Sequence, residues 1–155
     1  MERKTNIVAE PGQPGLVITR EFDLPLELLF RAHSEADIIE QWMGTTVIKL
    51  ENKQHGSWRY ETSNPQGMVV FSAHGTIHEF SPGQRIVRTF EMENATFGVQ
   101  LEFIEFEKLS DDQSRLTIHS IYRSSELRDE MLKLPFSYGL NMAHDRLQEI
   151  VIKLK

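Results

Sequence analysis

One arginine stands where the sequence pattern predicts an apolar side chain. Arg88 lies between Ile86 and Phe90 in a run with a period of two, so strand alternation places it on the inward face. A buried guanidinium needs a partner, because an unpaired charge in an apolar site is very costly. Glu61 and Glu79 are candidate internal partners, and a ligand carboxylate or phosphate held by a bidentate contact is another. The simpler alternative is an exposed position near the strand end.

Tyr60 and Tyr122 are the other residues that could serve acid–base chemistry beside Arg88. Such chemistry needs only one or two titratable groups next to a substrate. The sequence has no nucleophile elbow, no HExxH zinc motif and no phosphate-binding loop. Catalytic residues are therefore not assigned, and binding without turnover is slightly favoured over an enzyme.

The histidines lack the spacing of metal ligands. His74 and His78 lie four residues apart in one strand, which separates them by roughly 13 Å. His119 alternates away from Leu116 and Ile118. We expect neither a metal site nor a cofactor.

The elements that position these residues begin with short pieces. Residues 1–14 are interpreted as an N-terminal arm or edge strand, and residues 15–155 as a single domain. "LVITREF" reads as the first strand of that domain, and two short helices follow it. Ser34 is predicted to cap the second helix and Gly44 to end it. From Thr46 to Arg123 the period changes to two, and five short turns predict roughly six antiparallel strands in a meander.

Two features favour an α+β fold with a curved antiparallel sheet of six or seven strands. In "FGVQLEFIEFE" the apolar positions change face between Phe103 and Ile104, which predicts a β-bulge and therefore a bend. After a short helix, Pro135 either begins or kinks a long amphipathic helix with one apolar stripe. The simplest burial lays that helix across the concave face of the sheet.

Composition limits the function classes. The 155 residues include no cysteine and carry a formal net charge of -6. This charge disfavours nucleic acid and anionic membrane surfaces as partners. No window approaches the about 18 apolar residues of a membrane span, and "MERKTNIVAEPGQPG" has no apolar core typical of a secretory signal. With the absence of cysteine, these features predict a cytoplasmic protein.

Four segments, in order over nearly the whole chain, resemble one bacterial family. "AEPGQPGLVITREFDLPLELLFRA" resembles its opening strand and first helix, and "IIEQWMGT" its "QWWGP" segment. "HGTIHEFSPGQRIVRTF" resembles its central hairpin, and "SYGLNMAHDRLQEI" its closing helix. The family is the AHSA1-like one, named after the activator of the Hsp90 ATPase, in the SRPBCC or START-like superfamily. The resemblance implies a helix-grip fold, in which the sheet wraps around the C-terminal helix.

The sequence departs from the family pattern at positions that would face the interior. Met43 replaces the second Trp of the pair that begins at Trp42, and Leu140 replaces the Trp of the closing motif. These thinner side chains are expected to enlarge or reshape a cavity. The N-terminal domain with which the eukaryotic co-chaperone stimulates Hsp90 has no counterpart here, so we expect no Hsp90 interaction.

The resemblance implies a cavity between the sheet and the long helix, although the same residues could instead pack a dry core. The expected ligand is small and mostly hydrophobic, with an anionic group as an option. A cyclase- or hydrolase-like enzyme and a co-chaperone-like interaction module are the alternatives. The residues expected to line the cavity are Trp42, Met43, Trp58, Tyr60, Phe71, Arg88, Phe90, Tyr122, Phe136 and Leu140.

Overall fold

The fold is α+β, with one antiparallel sheet and a long helix at the C-terminus. The computed structural model describes residues 3–155. The sheet has eight strands in the order β1-β2-β8-β7-β6-β5-β4-β3. In chain order the elements are β1 (Asn6–Val8), β2 (Gly15–Phe22), α1 (Leu26–Ser34), α2 (Ala36–Met43), β3 (Thr46–Leu50), β4 (Ser57–Ser63), β5 (Val69–Ser81), β6 (Arg85–Met92), β7 (Val99–Ser110), β8 (Gln113–Ile121), α3 (Ser125–Leu132), α4 (Phe136–Val151) and a short 3₁₀ turn (Ile152–Leu154).

The strand count exceeds the expected six or seven because the N-terminal arm itself adds a strand. β1 pairs antiparallel with β2, from Asn6 opposite Thr19 to Val8 opposite Val17. The remaining strands follow the predicted plan: β3 to β8 form a meander of six, and β8 returns to pair with β2. The predicted fold class is therefore confirmed.

The two short helices differ from the prediction at their junction. Ser34 is the last residue of α1, and its hydroxyl donates to the Phe30 carbonyl one turn earlier, 2.9 Å away. Glu35 in extended conformation is the N-cap of α2 instead, so the predicted Ser34 cap is wrong. The predicted stop is correct, since Gly44 adopts a left-handed conformation (φ 65°) that ends α2.

The predicted bulge in β7 is also wrong. The register of β7 is unbroken with β6 from Val99 to Glu105 and with β8 from Leu101 to Lys108. The buried positions of the strand are Gln100, Glu102, Ile104 and Phe106, whereas Val99 is exposed. The apolar residues before Ile104 therefore occupy the outer face of the sheet, and the inner face carries two polar side chains. The strands β3, β4, β5 and β7 contain register shifts elsewhere.

The core divides into groups at opposite parts of the inner face. The C-terminal half of α4 buries Leu147 and Val151 completely, against Phe22, Leu29 and Leu116. A second group lies on β4 and β5, and a third joins β2 to α3. The N-terminal half of α4 has no fully buried residue before His144, so space is left between this half of the helix and the sheet.

One glycine is required by the close approach of two neighbouring strands. A Cβ atom at Gly75 would lie 1.9 Å from the Thr89 carbonyl oxygen and 2.8 Å from Trp58 Nε1. Trp58 uses this nitrogen to donate to the same carbonyl at 3.1 Å. Gly75 thus lets the buried indole of Trp58 reach across β5 to β6.

We predict that Gly75→Ala destabilises the fold by about 1–3 kcal/mol, because the added methyl group forces the strand or the indole to move. Gly139→Ala is the matched control. A Cβ atom at Gly139 meets nothing within 4 Å, and Ala in a helix interior is favoured by about 1 kcal/mol over Gly. Urea unfolding of the two variants measures both effects. Equal stability of Gly75→Ala and the wild type would contradict the close approach.

Candidate functional site

A cavity of about 440 Å³ lies between the inner face of the sheet and the helices α2, α3 and α4. Its lining is mostly apolar and comes from nearly every strand of the sheet. The structure brings together nine of the ten residues predicted from sequence: Trp42, Met43, Tyr60, Phe71, Arg88, Phe90, Tyr122, Phe136 and Leu140. Gly139 also lines this cavity, and a Cβ atom there would meet no other atom within 4 Å.

Trp58 is the predicted lining residue that the structure places elsewhere. Its side chain is 1% exposed and does not line the cavity. The Arg88 guanidinium lies over the Trp58 ring, 4.4 Å from the ring centroid, a distance typical of a cation–π contact. Trp58 therefore packs against the Arg88 guanidinium and does not line the cavity itself.

Arg88 faces inward as predicted, but its partner is neither Glu61 nor Glu79. Arg88 Nε donates to Glu102 Oε1 at 2.8 Å. The other two carboxylates belong to other ion pairs, Glu61 with Arg59 at 2.9 Å and Glu79 with Arg85 at 3.6 Å. Glu102 was missed because the apolar residues of β7 were assigned to the wrong face. Glu102 can be identified from sequence by placing Gln100, Glu102 and Ile104, which alternate along β7, on the inner face.

The Arg88–Glu102 pair is the centre of a small polar group inside an otherwise apolar cavity. Gln100 Nε2 donates to Glu102 Oε2 at 3.1 Å, and Arg88 Nη1 donates to the Tyr60 hydroxyl at 3.4 Å. Burial is the largest single influence on the Arg88 guanidinium and disfavours its charge, but Glu102 and Tyr60 together outweigh burial and raise the pKa of Arg88. Burial, with the charge of Glu102, raises the pKa of Tyr122. Arg88 is thus charged and Tyr122 neutral at physiological pH.

Two histidines that sequence reasoning did not select, His33 and His144, also line the cavity. His33 Nδ1 is 3.0 Å from the Leu29 carbonyl oxygen, which can only accept, so this nitrogen carries the proton. His144 is 1% exposed, and its Nδ1 lies 2.7 Å from the Thr5 hydroxyl. Burial lowers the pKa of His33 to about 4 and that of His144 to about 3. Both rings are therefore neutral near pH 7.

Trp42 forms a fixed wall of the cavity. Its ring is 5% exposed, and its Nε1 donates to the Ala32 carbonyl of α1 at 2.7 Å. The ring also packs against His33 and His144, with ring centroids 5.3 and 6.1 Å apart. Met43, which is partly buried, is the adaptable neighbour, since its unbranched thioether fits irregular space.

Within residues 3–155, no group of three or more acidic, histidine or cysteine side chains is placed to hold a metal ion. None of the described helices is long and apolar enough to cross a membrane.

The architecture and the cavity define a helix-grip domain of the START-like class. Residues 23–151 match the model of the family described as "Activator of Hsp90 ATPase homolog 1-like protein". The chain belongs to this family. Family and fold are consistent with a START-like ligand-binding domain. A search of curated proteins found no match.

Solved bacterial structures share the fold at low sequence identity. Ms6760 from Mycobacterium smegmatis is 18% identical with a TM-score of 0.82, over 94% of this chain and 95% of that one. A protein from Rhodobacter sphaeroides is 19% identical with a TM-score of 0.83, over 96% and 99% of the two chains. A protein from Arthrobacter aurescens is 16% identical with a TM-score of 0.83, over 96% and 91%. At these identities the similarity shows the fold alone.

We predict strong coupling between Arg88 and Glu102. Arg88→Met should destabilise the protein by about 3 kcal/mol, because it leaves a buried carboxylate without its cation. The double variant Arg88→Met/Glu102→Leu should recover most of that loss, since an apolar pair of similar volume avoids the cost of burying charge. Urea unfolding of both single variants and the double variant measures the coupling. Losses that simply add would show that the two side chains do not depend on each other.

The buried histidines predict a loss of stability in mild acid. Both have folded-state pKa values below the 6.5 of an unperturbed histidine, so the unfolded chain binds more protons between about pH 6.5 and pH 4. The free energy of unfolding should therefore fall as the pH is lowered through this window, by up to about 1.4 kcal/mol per pH unit for each histidine.

Urea unfolding at pH 7, 6 and 5 tests this, above the range in which most carboxylates titrate. His33→Asn and His144→Asn should each reduce the slope, whereas the exposed His78→Gln should leave it unchanged. If the free energy of unfolding depended on pH in both variants as it does in the wild type, the two histidines would not be the cause of the loss in acid.

Proposed function

We propose that this protein binds a small, mostly apolar molecule in the cavity between the sheet and α4. The observation that carries the proposal is the 440 Å³ space itself, with an apolar lining and a few convergent polar groups. Both its volume and its lining are typical of pockets for small molecules. Burial of apolar ligand surface would drive binding, at roughly 25 cal/mol per Å² before ordering costs.

The walls support binding of a ligand without large rearrangement. Trp42 is fixed to α1 by its hydrogen bond, and Arg88 is fixed by Glu102 and the Trp58 ring. Such a site loses little conformational entropy when it is occupied. The less constrained side is formed by Met43 and by the start of α4, where Phe136 and Leu140 are partly exposed. We place the ligand's entry on this side.

A cyclase- or hydrolase-like reaction is the second candidate, because Tyr60, Arg88 and Tyr122 line the same cavity. Two features favour binding alone. The raised pKa of Tyr122 makes it a weak acid near pH 7, and the lowered pKa of His33 makes it a weak base. Turnover of a bound compound that Tyr60→Phe abolishes, with folding intact, would decide for the enzyme.

Thermal-shift screening with lipids, polyketides and uncharged aromatics should find compounds that raise the melting temperature, because a ligand that binds only the native state stabilises it. At a hundred times its Kd, such a ligand contributes about 2.7 kcal/mol. The same compounds should change the fluorescence of the protein, and Trp42→Phe should remove most of that change.

Gly139→Phe tests where these compounds bind. A ring at Gly139 would fill part of the cavity and should weaken binding by at least about tenfold, or 1.4 kcal/mol. Met142→Phe is the control, because Met142 is 42% exposed on the same helix and does not line the cavity. Equal affinities of the two variants, or no stabilisation by any compound, would contradict the proposal.

A further inference from the structure

We propose that the cavity selects an uncharged ligand that carries a hydroxyl or carbonyl group, and that it rejects anions. This inference rests on the proposed function and specifies the ligand's chemistry. It excludes one option that the sequence leaves open, in which an inward Arg88 holds a ligand carboxylate or phosphate.

The charge of the cavity wall disfavours an anionic ligand. Among the described residues that line it, Arg88 and Glu102 are the formally charged ones at neutral pH, and they lie 2.8 Å apart. His33 and His144 are the lining residues that could gain a charge near neutral pH, and burial lowers the pKa of both so that they stay neutral. The wall therefore has no net charge to offset that of an anion.

Arg88 is held in place by Glu102 and by the aromatic rings around it. Its side chain is 16% exposed and that of Glu102 is 11% exposed. The guanidinium lies over the ring of Trp58, and the rings of Tyr60 and Phe90 are within 6.0 Å of its central carbon. To meet an anion alone, Arg88 would have to leave Glu102 unpaired in an apolar site, which is strongly unfavourable.

An anion that stayed beside the intact pair would also meet Glu102. The attraction of the guanidinium and the repulsion of the carboxylate act over similar distances and largely cancel. The anion would still lose its hydration on entering the cavity, which is very costly for an unpaired charge. A hydroxyl or carbonyl group loses far less, and hydrogen bonds offset that loss.

A hydrogen-bond donor and an acceptor in the cavity are both free to bind a hydroxyl or carbonyl group. Arg88 donates through Nε and Nη1, and its Nη2 has no hydrogen-bond partner among residues 3–155. The proton of neutral His33 is on Nδ1, so Nε2 is an acceptor, and it too has no partner in the described chain. Both residues line the cavity. A ligand hydroxyl can accept from the one or donate to the other, whereas a carboxylate can only accept.

Three fluorescent probes with the same four-ring body test the inference: 1-pyrenemethanol, 1-pyrenecarboxylate and pyrene. They differ at one substituent, which is a hydroxymethyl group, a carboxylate or hydrogen. Titration into the wild-type protein at neutral pH should show that 1-pyrenemethanol binds at least about tenfold more tightly than 1-pyrenecarboxylate. Pyrene should fall between them, because it loses no charge hydration and gains no hydrogen bond.

Glu102→Gln should reverse this order. It keeps the shape of the side chain and removes the negative charge, so Arg88 becomes an unpaired cation beside the ligand. The affinity for 1-pyrenecarboxylate should then rise at least about tenfold. The matched control is Arg88→Gln/Glu102→Gln, which restores a wall without net charge and should again prefer 1-pyrenemethanol.

The outcomes separate this inference from the proposed function. If 1-pyrenecarboxylate binds the wild type as tightly as 1-pyrenemethanol or more tightly, the inference is wrong and ligand binding still stands. If none of the three probes binds, pyrene included, the proposed function itself is contradicted. If Glu102→Gln fails to fold, the comparison in the wild type decides alone.

Discussion

The interior of this domain is organised around a buried ion pair between neighbouring strands. Arg88 on β6 and Glu102 on β7 stand directly opposite each other in the sheet register, and their side chains meet on the face that surrounds the cavity. Each charge offsets much of the cost of burying the other. The position of the Arg88 guanidinium also constrains the residues packed around it. Trp58 must lie behind the guanidinium, and Gly75 must be small enough to let the Trp58 indole reach Thr89.

The long helix α4 covers only part of the inner face of the sheet. The C-terminal half of α4 does pack closely, with Leu147 and Val151 fully buried. Its N-terminal half follows the N-cap Pro135 and carries Gly139 and Leu140 beside the cavity. The same helix therefore closes the core at one end and leaves a space at the other. This division combines a closely packed core with an interior cavity in one domain.

The fold could be predicted from the sequence because local signals agree with each other. Five short turns, three of them with a glycine, separate the strands of the meander, and Gly44 and Pro135 mark helix ends. The inward position of Arg88 also follows from alternation alone. Its partner could not be found in the same way, because β7 carries Leu101 and Phe103 on its outer face and the apolar pattern points to the wrong phase. Phe103 is stabilised there by the ring of His119, with centroids 6.2 Å apart. His33 and His144 were missed because only the tertiary packing of α1 against α4 encloses them.

The methionines offer a direct test of whether a ligand occupies the space between the sheet and α4. Met43, Met92 and Met131 line the cavity, whereas Met68 and Met142 are exposed elsewhere. With ¹³C-labelled methionine methyl groups, NMR titration with 1-pyrenemethanol reports on both sets in one sample. We expect large shifts of the three cavity methyl signals and little change in the two exposed ones. Shifts confined to Met68 and Met142, with the cavity signals unmoved, would contradict it.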